Sequence, residues 1–245
     1  MMQATTPPFK IRHIPLYGFT SIEHFVDFLV GEQQIKSGML VAVNAEKLML
    51  AERDPELRKI LLKSEYNYPD GISIVQALRR KYAGQQIVRT AGIDLWLALM
   101  TRCAQQKIPV YLVGATPSIL QQTKQKLQQE MGVTLTGWQH GYFTRNEAEN
   151  VIKSITDSSA RVVIVAMGSP RQELFIRQCQ KRYPEALYMG VGGSYDVFTG
   201  HVRRAPLLWR HWGLEWLYRL ICQPSRWRRQ IKLLRFVWYY WRKQL

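Results

Sequence analysis

The sequence predicts an α/β protein: an open, mainly parallel sheet between helices, with a helical, basic C-terminal appendage. Three observations carry that prediction. Short apolar runs alternate with longer helical patterns up to about residue 200. The runs are apolar almost without interruption, which suits strands covered on both faces of a parallel sheet. Near residue 200 the composition shifts to basic, tryptophan-rich sequence.

The expected strands are 39–43 (MLVAV), 109–114 (PVYLVG), 133–138 (VTLTGW), 161–168 (RVVIVAMG) and 186–193 (ALYMGVGG). The expected helices are 72–82, 93–106, 117–131, 145–156 and 170–183. Pro117 and Pro170 suit a first helical turn, where a missing N–H is harmless. Strand–helix alternation implies right-handed crossovers in one open sheet. In such sheets ligands bind beyond the carboxyl ends of the strands. The expected division is an α/β domain over 1–204 and a basic, amphipathic helical appendage over 205–245. In the appendage, helices are expected at 207–222 and 225–242, separated at Gln223-Pro224.

Composition narrows the function. Of 245 residues, 47% are hydrophobic and 21% charged, which excludes a disordered or fibrous chain. The formal charge of +16 implies an anionic partner: nucleic acid, anionic membrane or phosphorylated ligand. From His201 onward, eleven lysines and arginines face one acid, Glu215, a local charge of +10. Cys103, Cys179 and Cys222 are spaced neither as a disulfide framework nor as a metal site, so a reducing cytoplasm is expected. The N-terminal sequence lacks the continuous apolar region of a signal peptide. The longest uncharged stretch, 108–123, is broken by Pro109, Gly114 and Pro117, so no spanning helix is expected.

Polar residues at the strand ends are the candidates for chemistry. Asn44 follows the first strand, where it suits both a helix cap and a ligand contact. Asp70 and Gly71 stand between a tyrosine-rich turn and an apolar helix. Asp70 is a turn or capping residue on the bland reading and a general base on the sharp one. Gly114 and Gly168–Ser169 each end a strand just before a helix. Backbone N–H groups at a helix start favour anions, so two such junctions in one sheet suggest a nucleotide diphosphate. Gln172 is placed to read a base or sugar, whereas Glu173 is expected to cap. Gly192 and Gly193 permit close backbone approach, with Asp196 at the rim. The glycine-rich run lacks G-x-G-x-x-G spacing, which disfavours a dinucleotide oxidoreductase. No D-x-D and no ligand-spaced His/Cys/carboxylate cluster occurs, so no metal and no cofactor is expected.

In the last predicted helix, Trp227, Ile231, Leu234, Trp238 and Trp241 form one stripe, beside Arg228, Lys232, Arg235 and Arg242. Such a stripe ordinarily packs on a core. Here acids for i,i+4 pairing are missing, and aromatic residues beside arginines suit a bilayer interface. A nucleic-acid-binding protein is the competing class. Charge alone permits it, but the sequence shows no such motif, and no nucleic-acid partner is expected.

VAVNAEK, YPDGIS, the R-x-A-G-x-D run 89–94, VGATP, AMGSPRQE, MGVGGSYDVFTGHVRRAP and GLEWLYRLICQPSRWRR occur in this order. Together they resemble the WecG/TagA/CpsF family of glycosyltransferases across essentially the whole chain. The resemblance implies a Rossmann-like fold and metal-independent, inverting transfer. It implies as donor a UDP-sugar, a UDP-linked N-acetylmannosamine derivative. The implied acceptor is an undecaprenyl-diphosphate-linked N-acetylglucosamine at the cytoplasmic face of the bacterial inner membrane, where the protein would be peripheral. By the same resemblance, Asp70 matches the family's general base and Asn44 lies beside it in the acceptor pocket. Arg89, Gln172 and Asp196 match pocket positions that contact donor or acceptor. Arg219, Arg226 and Arg229 fall in the C-terminal segment that closes over the site and meets the lipid diphosphate.

Overall fold

The computed structural model describes residues 9–32, 34–222 and 227–245. A short antiparallel hairpin, β1 (Phe9–Ile11) and β2 (Ile14–Leu16), precedes α1 (Ile22–Leu29). The main sheet then builds through β3 (Gly38–Val43), α2 (Ala45–Ala51), α3 (Pro55–Lys63), β4 (Tyr66–Pro69), α4 (Ile72–Lys81) and α5 (Gly92–Gln105). It continues through β5 (Val110–Gly114), α6 (Pro117–Gln129), β6 (Leu135–Gln139), α7 (Arg145–Asp157), β7 (Val162–Ala166), α8 (Arg171–Arg182) and β8 (Leu187–Gly190). Four helices follow: α9 (Ser194–Phe198), α10 (Leu207–His211), α11 (Glu215–Cys222) and α12 (Trp227–Trp241).

Six strands form one fully parallel sheet in the order β4-β3-β8-β7-β5-β6. Alternation along each strand divides the core in two. In β7, Val163 and Val165 join the apolar layer under α2, α3, α4, α7 and α8. Val162 and Ile164 join the opposite layer, with α1, α5, α6 and α9. The helices after the neighbouring strands β3 and β8 therefore lie on opposite faces, as do those after β5 and β7. Beyond the carboxyl ends of such pairs the connecting chains diverge and leave a crevice.

The five expected strands are all present, with bounds that differ by one to three residues at an end. The sixth, β4, has a sequence, YNYP, that reads as a turn because it is short and carries Asn67 and Pro69. An edge strand tolerates that proline, and the buried Asn67 amide donates to Leu61 O at 2.7 Å. The expected helix over 207–222 is broken at Gly213, whose φ of +72° is in the left-handed region. A Cβ there would lie 2.9 Å from Cγ1 of Ile72.

The last helix has two apolar faces. Phe236 and Tyr239 are buried in the same apolar layer as α2, on which α12 packs. Of the predicted stripe, Leu234, Trp238 and Trp241 are instead 69%, 47% and 72% exposed. Arg242 stacks over Trp238 at 4.5 Å. The stripe's other two side chains, at 227 and 231, lie outside the description. No helix among the described residues is long and apolar enough to cross a membrane.

Candidate active site

The carboxyl ends of β3 and β4 sit side by side because the parallel register pairs Val43 with Pro69. The next residues are Asn44 and Asp70, and the Asp70 N–H donates to Val43 O at 3.0 Å. Asn44 caps α2: its Oδ1 accepts from the Lys47 N–H at 2.8 Å, one of the four otherwise unpaired donors of a helix start. Asp70 is half-buried between β4 and α4, where Gly71 adopts a φ of +86° to turn the chain into the helix.

The segment before α5 closes the other side. Thr90 N–H donates to Pro69 O at 3.4 Å, drawing 89–92 against the end of β4. A Cβ on Gly92 would lie 3.2 Å from Tyr68 Oη and 4.0 Å from Asp70 Oδ2. Asp70 thus faces the first turn of α5, a favourable place for a carboxylate. Tyr68 is fully buried and its hydroxyl has no hydrogen-bond partner among the described residues. Burial, reinforced by the Asp70 carboxylate, pushes this phenol well above its ordinary pKa.

The two glycine junctions lie on neighbouring strands, with Gly114 opposite Ala166. Gly114 has a φ of +119°, and a Cβ there would stand 2.3 Å from Ala166 O, so only glycine fits. Thr116 then caps α6, accepting from the Ile119 N–H at 3.3 Å. After β7, Gly168 turns the chain at φ +74° and Ser169 is exposed before α8. At the end of β8, Gly192 and Gly193 lead into α9, and a Cβ on Gly193 would sit 3.7 Å from Asp196 Oδ2.

Gln172 and Glu173 join these ends from within. The Gly192 N–H donates to Gln172 Oε1 at 3.0 Å, while Gln172 Nε2 donates to Glu173 Oε1 at 2.9 Å. A Cβ on Gly190 would strike Nε2 at 2.5 Å. Lys47 Nζ donates to the same Glu173 oxygen at 2.7 Å, and both charged side chains are buried. Burial pushes the Glu173 carboxyl up, but the Lys47 ammonium and hydrogen bonds, from Lys47 first, outweigh it. The carboxyl is held below its ordinary range. Glu173 is therefore an ion-pair partner rather than the expected cap. Gln172 spends its amide on Gly192 and Glu173, shaping the glycine turn in front of it.

Arg89 lies on the segment beside Asp70, but its guanidinium points to the tail. Nη2 donates to Glu215 Oε2 at 2.5 Å and Nη1 to Arg210 O at 3.3 Å. Arg219 and Arg229 fall in α11 and α12, and their side chains are outside the description. Arg226 lies outside the described residues. Among the described residues no three His, Cys, Asp or Glu side chains gather as a metal site.

The model of the glycosyl transferase WecG/TagA/CpsF family matches residues 10–245 of this chain. The chain belongs to that family. It is therefore a glycosyltransferase, and its substrates are a sugar donor and an acceptor. The WecG/TagA/CpsF match covers the sheet and the tail alike.

Sequence reasoning passed over Lys47, Tyr68, Arg204 and Glu215. Two of them leave a signal. Lys47 stands in the first turn of a helix, where a cation opposes the dipole and calls for a counter-ion. Glu215 is the lone acid of a strongly basic segment.

Proposed function

We propose that this protein transfers N-acetyl-D-mannosaminuronic acid from UDP to undecaprenyl-diphosphate-linked N-acetylglucosamine, as in the synthesis of enterobacterial common antigen. Transfer inverts the anomeric centre and requires no metal ion. The observation that carries the reading is the position of Asp70: a carboxylate beside Asn44 at the mouth of a parallel sheet whose strands β5 and β7 end in glycine turns before helices.

The chemistry follows from that arrangement. A sugar hydroxyl is a weak nucleophile, and Asp70 takes its proton as it attacks the anomeric carbon, a contribution of about 10²–10⁴-fold. One carboxylate suffices, because inversion involves no covalent intermediate. Asn44 and Arg89 hold the acceptor. The turns at Gly114, Gly168–Ser169 and Gly192–Gly193, the last shaped by Gln172, hold the donor with Asp196. Charge grows on the departing UDP, and helix starts and guanidinium groups stabilise it. Arg219, Arg226 and Arg229 engage the acceptor's diphosphate, for which the planar guanidinium fork is suited.

The lipid-linked acceptor requires the protein to work at a membrane surface, and we place it on the cytoplasmic face of the inner membrane. Support comes from the tail. Leu207, Trp212, Ile221, Leu234, Trp238 and Trp241 are all exposed, in a segment of charge +10. Aromatic rings at headgroup depth, with arginines beside them, give weak reversible attachment to anionic lipid. On this reading residues 205–245 are an appendage to the catalytic domain of 1–204. The deciding experiment offers UDP-N-acetylmannosaminuronic acid and UDP-N-acetylmannosamine separately, with a short-chain polyprenyl-diphosphate N-acetylglucosamine acceptor. Product from the uronic acid donor alone is expected. Preference for plain N-acetylmannosamine would move the protein to another specificity within the family.

A further inference from the structure

One carboxylate ties the tail to the mouth of the sheet. Glu215 begins α11 and is 7% exposed. Its Oε2 accepts from Arg89 Nη2 at 2.5 Å, and its Oε1 lies 4.0 Å from Arg204 Nε. Arg204, on the segment after α9, grips Asp94 of α5 with both terminal nitrogens, at 2.7 Å each. Three parts of the chain thus meet at Glu215: the segment 89–92 beside Asp70, the segment after α9, and the tail. Two residues earlier stands Gly213, where a Cβ would lie 2.9 Å from Cγ1 of Ile72, a residue that follows Asp70 by two positions.

The charges explain why a carboxylate is needed there. Arg89 and Arg204 are drawn toward a common point and would repel each other without an anion between them. Side-chain exposures of 22% and 20% leave both only partly screened by water. No neighbour in the tail can substitute, since Glu215 is the only acid beyond residue 200. Arg89 gives Glu215 one edge of its fork and donates to Arg210 O from Nη1. Its rotamer is therefore set by the tail rather than by its own loop.

We propose that Glu215 is a positioning residue for transfer. It fixes the guanidinium of Arg89, whose backbone segment lies beside Asp70, and holds α10 and α11 against that segment. The inference rests on the reading of the Asp70 mouth as the transfer site. Removing the carboxylate frees Arg89 to reorient and loosens the segment 207–222. Acceptor use and turnover then suffer, whereas donor binding, at the glycine turns of other strands, does not.

The test uses the full-length protein. Glu215→Gln keeps the size of the side chain and one acceptor oxygen but removes the charge. We expect kcat for transfer to the polyprenyl-diphosphate acceptor to fall at least tenfold and acceptor KM to rise. Affinity for UDP should stay within threefold, and Glu215→Asp, which keeps the charge, should recover at least half of the lost decade. Amide hydrogen exchange over 207–222 should quicken at least tenfold in Glu215→Gln, with the sheet unchanged. Unaltered kinetics, or exchange over 207–222 unchanged from wild type, overturns the proposal. Should Glu215→Gln not fold, Glu215→Asp decides. A partial loss of transfer at unchanged UDP affinity supports the positioning role, and wild-type transfer overturns it. Asp70→Asn, assayed in parallel, separates the two ideas. Retained activity in Asp70→Asn defeats the site reading, while the exchange measurement still judges the contact at Glu215.

Discussion

A lysine in the first turn of a helix works against the dipole, and Lys47 is held there by Glu173 of α8 at 2.7 Å. Both side chains are buried, so removing either leaves an uncompensated charge. Lys47→Met and Glu173→Gln should each destabilise the protein by about 3–5 kcal/mol, measured by urea unfolding. The double replacement by Met and Leu should come within about 1–2 kcal/mol of wild type, because burying two charges is itself expensive. The pH dependence has a definite sign. The folded Glu173 carboxyl lies below its ordinary range, so the pair's stabilisation is full above the unfolded value of about 4.3. It is lost as pH falls through the folded value. Unfolding free energy of the wild type should therefore drop more steeply below about pH 4 than that of the double variant. Tyr68 provides the opposite case. Its hydroxyl is buried without a partner among the described residues, so Tyr68→Phe should leave stability unchanged or raise it by about 1 kcal/mol.

The two faces of α12 separate folding from the proposed membrane attachment within fifteen residues. Phe236 lies on the α2 side and is 4% exposed, so Phe236→Ala should cost about 3–5 kcal/mol of stability. Trp238→Ser with Trp241→Ser, on the outer face, should leave the melting temperature nearly unchanged. It should reduce flotation with anionic liposomes several-fold, and added salt should weaken what remains. Equal flotation of wild type and double variant would remove the bilayer from the account. The amphipathic pattern was legible in the sequence, yet it did not reveal that a second apolar face, Phe236 and Tyr239, also exists and is the one that packs. Periodicity identifies a stripe, but the partner surface on α2 decides which stripe is buried. The buried parallel strands were legible for the reason that β7 is apolar at every position. β4 was not, because an edge strand of four residues can carry Asn67 and Pro69 without an alternating pattern. In the site, Asn44, Asp70 and the glycine turns could be read from their places at strand ends. The hydrogen bonds that occupy Gln172 could not, since Gly192 is twenty residues away and reaches it only through the pairing of β7 with β8.

The whole molecule is a parallel sheet flanked by helices, with a basic tail, and among the described residues two contacts fasten separate parts of that tail. α12 is anchored on α2, and Glu215 is anchored on Arg89. Truncation after Pro206 removes both. The fragment is expected to retain the sheet and UDP binding at reduced stability, because it loses Phe236 and Tyr239 from the apolar layer. It should lose liposome association and transfer to a membrane-embedded acceptor. Transfer should persist in excess EDTA without restoration by Mg²⁺ or Mn²⁺, since helix starts and arginines are assigned the charge on departing UDP. Activity that disappears with EDTA and returns with metal would reassign that task. The proposed transfer turns on Asp70. Asp70→Asn preserves size and most hydrogen bonding but cannot take the acceptor's proton. Single-turnover transfer by the folded variant is the direct measurement. The rate should fall by about 10²–10⁴-fold with UDP-sugar affinity little changed. A folded Asp70→Asn protein that transfers sugar within a few-fold of wild type would contradict the account.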